Sequence, residues 1–134
     1  MNEKKNNGFT LAELLVVVAI IAVLVAISIP IFTTQLHKSE VAADWANIRS
    51  YFGEIQSDFI STGKYNDKVP DVHRVVYDQT KITFLDGNTV KLKAGYYIIT
   101  RASDGKGYQI IYYCNKGHDK CELKLGVNDK TNSD

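Results

Sequence analysis

The chain has 134 residues, 45% hydrophobic and 23% charged, with 16 basic and 15 acidic side chains and a net charge of +1. That size and balance fit one ordinary domain; they exclude a disordered chain and the strongly basic field that drives nonspecific nucleic-acid binding. The hydrophobicity is unevenly placed: no Asp, Glu, Lys, Arg or His occurs in the 23 residues from Leu14 to Leu36, which as helix would cover about 34 Å and cross one bilayer.

In chain order, Met1 to Gly8 carries Lys4 and Lys5 against Glu3, and such a short basic flank is retained in the cytoplasm. The domain after Leu36 is then placed outside. A cleaved secretory signal fits the basic start, but its apolar core is usually shorter than this run, and no good small-x-small cleavage site follows it. Thr10-Leu11-Ala12-Glu13 matches the capping box that opens a helix, which puts the Glu13 carboxylate at the favourable end of the helix dipole. On that reading Glu13 sits at the membrane interface of a plain single-span anchor. Pro30, inside the run, removes one helical donor and frees the Ala26 carbonyl, so a kink or locally melted turn is expected there, with Ser28 nearby to help.

Taken together, a short basic leader ending in Gly8, then Phe9-Thr10-Leu11-Ala12-Glu13, then the apolar run and Pro30, resembles the type IV pilins, including the pseudopilins of secretion and DNA-uptake machines. The motif covers about the first 60 residues. The resemblance implies cleavage after Gly8 by a membrane prepilin peptidase, methylation of the new Phe9 amine, and a mature chain beginning at residue 9. It also implies a substrate of that enzyme rather than an enzyme. The expected organisation is a leader over 1–8, a membrane and filament-core helix over 9–36, and an extracytoplasmic domain over 37–134 with helix 37–62 and sheet 72–125.

The implied role is structural: a subunit of a type IV pilus or related filament, polymerised through its N-terminal helix. The alternative is a minor pilin or a secretion or competence pseudopilin acting as a binding or priming module. The implied partners are copies of itself, other pilins, the peptidase, the membrane and a pilus assembly platform. A single-pass membrane precursor with a cytoplasmic N-terminus would become an extracellular filament. A carboxylate buried unpaired in hydrocarbon costs about 2.5–3.5 kcal/mol on insertion scales, and the Phe9 amine offers Glu13 an opposite charge. That amine belongs to a neighbouring subunit, as the resemblance implies, or to the same helix at i,i+4. Phe9, Glu13 and Pro30 are thus the assembly residues, and Gly8 and Phe9 the processing residues.

Beyond the span, Val41, Trp45, Ile48, Phe52, Ile55 and Phe59 recur at steps of four and three and form one apolar helical stripe. Glu40, Asp44, Arg49, Glu54 and Asp58 are read as the solvated or subunit-facing side, and Trp45 as core. Ser61-Thr62-Gly63 stops a helix running from about Phe9 to Thr62. Gly63 to Asp71 is a loop by composition. It is similar to the segment that follows the long helix in pilins, although Asn66 to Val69 separate Tyr65 from Pro70. Strands are predicted at Val72 to Tyr77, Ile82 to Leu85, Thr89 to Lys93, Tyr96 to Arg101, Tyr108 to Tyr113 and Glu122 to Leu125. Turns at Asp86-Gly87-Asn88 and Ser103 to Gly107 join them. The fold class is α+β: the second half of a long helix packed on a roughly four-stranded antiparallel sheet.

Three site chemistries are weighed in the domain. Asp86, Asp104 and Asp119 lack the alternating acidic pattern of a calcium loop and read as turn residues. Cys114 and Cys121, with His118 between them, suit one disulfide closing a C-terminal loop; a zinc site takes four ligands, and no second pair lies within sequence reach. His37, His73 and His118 fall on different elements without a nucleophile signature or phosphate-binding glycine loop, so neither enzymatic chemistry nor a cofactor is expected. Lys116, Lys120 and Lys124 read as a solvated edge, with a local DNA-binding patch as the alternative. Of the crowded tyrosines Tyr96, Tyr97, Tyr108, Tyr112 and Tyr113, strand alternation sends some inward and some outward.

Overall fold

A computed structural model describes residues 8–70, 79–117 and 119–127. The chain divides into two compact units, Met1–Leu36 and His37–Asp134. One helix, α1 (Leu11–Thr62), contributes to both. It is followed by β1 (Lys81–Thr83), β2 (Thr89–Lys91), β3 (Gly95–Arg101), β4 (Tyr108–Cys114), a 3₁₀ turn (Asp119–Cys121) and β5 (Leu123–Leu125). The predicted strand Val72 to Tyr77 lies outside the described residues, as do Asp71, His73 and His118 and the side chain of Asp119.

In the first unit α1 starts with the capping box the sequence predicts. Glu13 N–H donates to Thr10 Oγ1 at 3.2 Å, and Thr10 N–H donates back to Glu13 Oε2 at 3.0 Å, so two donors that no helical carbonyl can reach are satisfied reciprocally. Of the two outcomes expected at Pro30, the melted turn is not found: α1 is helical on both sides of the proline. Ser28 serves the Leu24 carbonyl rather than that of Ala26. The Thr33 and Thr34 hydroxyls both donate to the Pro30 carbonyl at 3.0 Å, which anchors the turn after the proline.

Gly63 ends the helix as predicted: at φ 70° its N–H donates to Phe59 O at 2.8 Å, a left-handed cap that a β-carbon would disfavour.

In the second unit the buried side of α1 is rotated relative to the predicted stripe. Val41, Asp44, Ile48, Tyr51 and Ile55 are buried, while Trp45, Phe52 and Phe59 pack only partly against the core. Their facing partners are Ile82, Tyr97, Ile99, Ile110 and Tyr112. Tyr51 sits edge-on to Phe84 and Tyr97 with centroids 5.7 and 6.2 Å away, the geometry that aromatic quadrupoles favour.

The α+β class holds, but the described strands form two antiparallel sheets rather than one: β1-β2, and β3-β4-β5 in that order. β1 and β2 are joined by the predicted turn, where Asp86 Oδ1 accepts from Asn88 N–H at 2.8 Å and Gly87 takes φ 92°. Asp104 does the same for Lys106 N–H at 2.9 Å in the β3-β4 turn. These acids therefore perform turn chemistry. The break between the sheets has a local cause: after Lys91 the backbone turns Lys93 and Ala94 N–H towards Asp44 instead of continuing a ladder.

In the β3-β4 ladder Tyr97 opposes Tyr112, and Ile99 opposes Ile110; all four face the core. Tyr96 and Tyr113 stack on the other face at 5.6 Å. A β-carbon at Gly95 would collide with the Tyr113 carbonyl oxygen and the Tyr112 phenol. Gly95→Ala is expected to cost about 3 kcal/mol, lowering the thermal midpoint by on the order of 10 °C; calorimetry of the purified chain checks this, and an unchanged midpoint would count against the close approach.

Candidate functional site

The residues singled out at the N-terminus lie along one stretch of the first unit. Among the described residues no atom lies within 4 Å of where a β-carbon on Gly8 would stand, and Phe9 is 91% exposed. Glu13 lies one turn further on, in the capping box. The bond to Thr10 N–H occupies one carboxylate oxygen and leaves the negative charge uncompensated by any cation in the described structure.

From Leu14 to Phe32 the large apolar side chains are all exposed, none below 46%. This is one helix long and apolar enough to cross a membrane, by length and composition. A soluble domain rarely leaves so large a contiguous apolar surface uncovered. The span therefore calls for lipid or for other apolar helices.

In the second unit, three acids of α1 that the sequence reading placed on a solvated or subunit-facing side, Asp44, Glu54 and Asp58, hold loops instead, and Gln56 joins them. Asp44 is only 1% exposed. Its carboxylate accepts from Lys93 N–H, Ala94 N–H and Tyr112 O–H, each at 2.8 Å. Glu54 accepts from Leu85 N–H at 3.1 Å, and Asp58 from the Asn66 side-chain amide at 3.0 Å. Gln56 clamps the β3-β4 turn, donating to Lys106 O and accepting from Tyr108 N–H, both at 3.0 Å. Only Arg49 of that predicted face is fully exposed; it lies over the Trp45 ring. Trp45 itself is half-buried, and its indole N–H donates to Cys121 O at 3.2 Å. It is a tether for the C-terminal turn more than a core residue.

Cys114 and Cys121 form the predicted disulfide, with Cα atoms 5.8 Å apart, and it closes the segment that Trp45 anchors. His37, at the start of the second unit, stands beside this bond: its ring and the two sulfurs lie within 4.8 Å of one another. Sequence reasoning scattered the histidines over separate elements and missed this proximity.

The described chain is thus an exposed apolar helix with one acid at its capped start, continued in the chain by a small disulfide-bonded α+β unit. Residues 4–29 match the family described as Prokaryotic N-terminal methylation motif. The chain is also similar to the type IV major pilin protein PilA of Myxococcus xanthus (strain DK1622), 38% identical over 63 residues. That alignment covers 47% of this chain and 29% of the relative, so the chain spans under a third of the length of the curated relative it matches. No solved structure matches the chain. Over the parts of the chain they cover, the two matches point to the type IV pilins.

Proposed function

We infer that this chain is a structural subunit of a type IV pilus or related filament, cut between Gly8 and Phe9 and assembled through its N-terminal helix. The observation that carries this reading is the exposed Gly8-Phe9 bond followed by a capped Glu13 and an uncovered apolar helix. Each feature supplies one requirement. The open bond admits a peptidase, the apolar run stores the precursor in the membrane, and the same run offers sister helices a surface in a fibre.

Glu13 gives that surface a register. Cleavage creates a cation on Phe9, and stepping one subunit along a bundle of parallel helices sets that cation beside Glu13 of a neighbour. The capping bond to Thr10 holds the carboxylate in place without neutralising it, so the charge remains available. Pairing it offsets a burial cost of about 2.5–3.5 kcal/mol, and misregistered subunits forgo that gain. Pro30 lies in the same packed segment, where the N–H it fails to offer the Ala26 carbonyl permits a bend during transfer from lipid to filament.

Co-expression with a prepilin peptidase, followed by intact-mass measurement and N-terminal sequencing, tests the reading. The expected product lacks residues 1–8 and carries one methyl group on Phe9; a product still beginning at Met1 overturns the proposal. Glu13→Ala is expected to be cleaved and to remain in the membrane, with its share of sheared fibres reduced at least about tenfold by loss of a pair of this size. Normal incorporation of that variant removes Glu13 from the register role.

A further inference from the structure

His37, Cys114 and Cys121 form a compact group beside the C-terminal turn. The ring nitrogen and the two sulfurs lie within 4.8 Å of one another, with both cysteines buried and His37 half-buried. Zinc bonds sulfur at about 2.3 Å and imidazole nitrogen at about 2.0–2.1 Å, so a tetrahedral site places such atoms roughly 3.5–3.8 Å apart. Side-chain rotation alone spans the difference once the sulfur–sulfur bond is open.

The backbone around the two cysteines is held by bonds that do not depend on the disulfide. Trp45 Nε1–H donates to Cys121 O at 3.2 Å. Asn115 N–H donates to Ala94 O at 2.7 Å, and Gly117 N–H to Cys114 O at 3.1 Å. Ile110 and Tyr112 on β4 pair with Leu125 and Leu123 on β5. Reduction therefore leaves both sulfurs close to where the oxidised protein puts them.

We propose that the dithiol form of this protein binds one zinc-class cation through Cys114 Sγ, Cys121 Sγ and the His37 imidazole, with solvent in the fourth position. The form arises when an external dithiol passes two electrons and two protons to the disulfide and itself becomes a disulfide. On metal binding the two thiols release their protons, and two thiolates balance the dication. Two soft sulfurs and an imidazole select zinc-like ions over calcium or magnesium. The disulfide and the metal are thus alternative clasps for one C-terminal segment, selected by redox conditions.

The test uses the full chain in detergent micelles, reduced with a dithiol that is then removed without oxygen. Titration with Co²⁺ is expected to give a thiolate charge-transfer band saturating at one equivalent, which the oxidised protein lacks. His37→Gln should weaken cobalt affinity at least about tenfold, since loss of even an outer-shell partner costs 10–100-fold. In the unaltered protein, Zn²⁺ should protect His37 from carbethoxylation and both cysteines from alkylation, as read by peptide mass spectrometry. This footprint keeps the proposal testable if the variant misfolds. Absence of the band, unchanged affinity in a folded His37→Gln protein, or a His37 that stays reactive in the presence of zinc overturns the site.

Discussion

Replacing Asp44 with alanine is expected to lower the stability of the second unit by about 3–5 kcal/mol, the largest single-residue effect in the fold. The carboxylate satisfies three donors, the Lys93 and Ala94 N–H groups and the Tyr112 hydroxyl, at 2.8 Å each. Removing it strands three polar groups where the residue is 1% exposed, and each stranded buried donor costs about 1–3 kcal/mol. Tyr112→Phe deletes only one of the three bonds and is expected to cost about 1 kcal/mol. Asp44→Asn fits the space but presents an amide N–H₂ to at least one donor, so it should fall between the two. Urea unfolding followed by emission of the single tryptophan, Trp45, reports all three variants on one scale. A loss below about 1 kcal/mol for Asp44→Ala would show that water takes over the carboxylate's bonds.

The same residue explains where the sequence was readable and where it was not. Period and turn chemistry placed α1 from about Phe9 against the observed Leu11, its capping box at Thr10, its stop at Gly63 and the five described strands to within about two residues, β1 coming out a residue earlier and one shorter. The buried stripe, however, runs 41, 44, 48, 51, 55 instead of 41, 45, 48, 52, 55. Both patterns have helical spacing, and hydrophobicity alone favours Trp45 and Phe52 over Asp44 and Tyr51. The fold resolves this the other way because Asp44 supplies acceptors to backbone donors on a loop about fifty residues distant, a pairing no local pattern contains. Glu54 and Asp58 were misread for the same reason, and Gln56 drew no reading at all: an acid or amide that bonds a loop looks like a solvated one in sequence. At the N-terminus the reverse holds. Gly8, Phe9, Thr10 and Glu13 act within one turn of helix, so their arrangement is local and legible. His37 lies between these cases, an ordinary residue until the fold carries the cysteines to it.

Within the second unit these polar residues also say how the sheets are positioned. Four residues along α1 each bond a different following segment: Asp44 the approach to β3, Glu54 the end of the β1 region, Gln56 the β3-β4 turn, and Asp58 the loop at Asn66. Apolar packing tolerates sliding by a residue, whereas a carboxylate with directed donors does not. The helix that carries the proposed assembly motif is therefore also the element against which the strands are registered.

Raising the pH above 10 is expected to unfold the second unit through its inward-facing tyrosines. Burial raises the Tyr97 phenol to about 12 and pushes Tyr51 and Tyr112 higher still. For Tyr112 the hydrogen bond to the Asp44 carboxylate adds to the rise, because a phenolate there would face a second negative charge. The sign follows from linkage: a folded-state pKa above the unfolded value of 10 means the native protein holds protons that the unfolded chain releases. Their stabilisation is complete below pH 10 and is lost as pH climbs through the folded values. Three such groups give a slope of up to about 4 kcal/mol per pH unit, taking 1.36 kcal/mol for each, which exceeds the whole stability of a small domain within one or two units. The measurement is tyrosinate absorbance near 295 nm against far-ultraviolet circular dichroism across the same titration. A late tyrosinate step should coincide with loss of the β signal; ionisation of all the tyrosines near pH 10 with the fold intact would show that Tyr51, Tyr97 and Tyr112 do not pack as the structure places them.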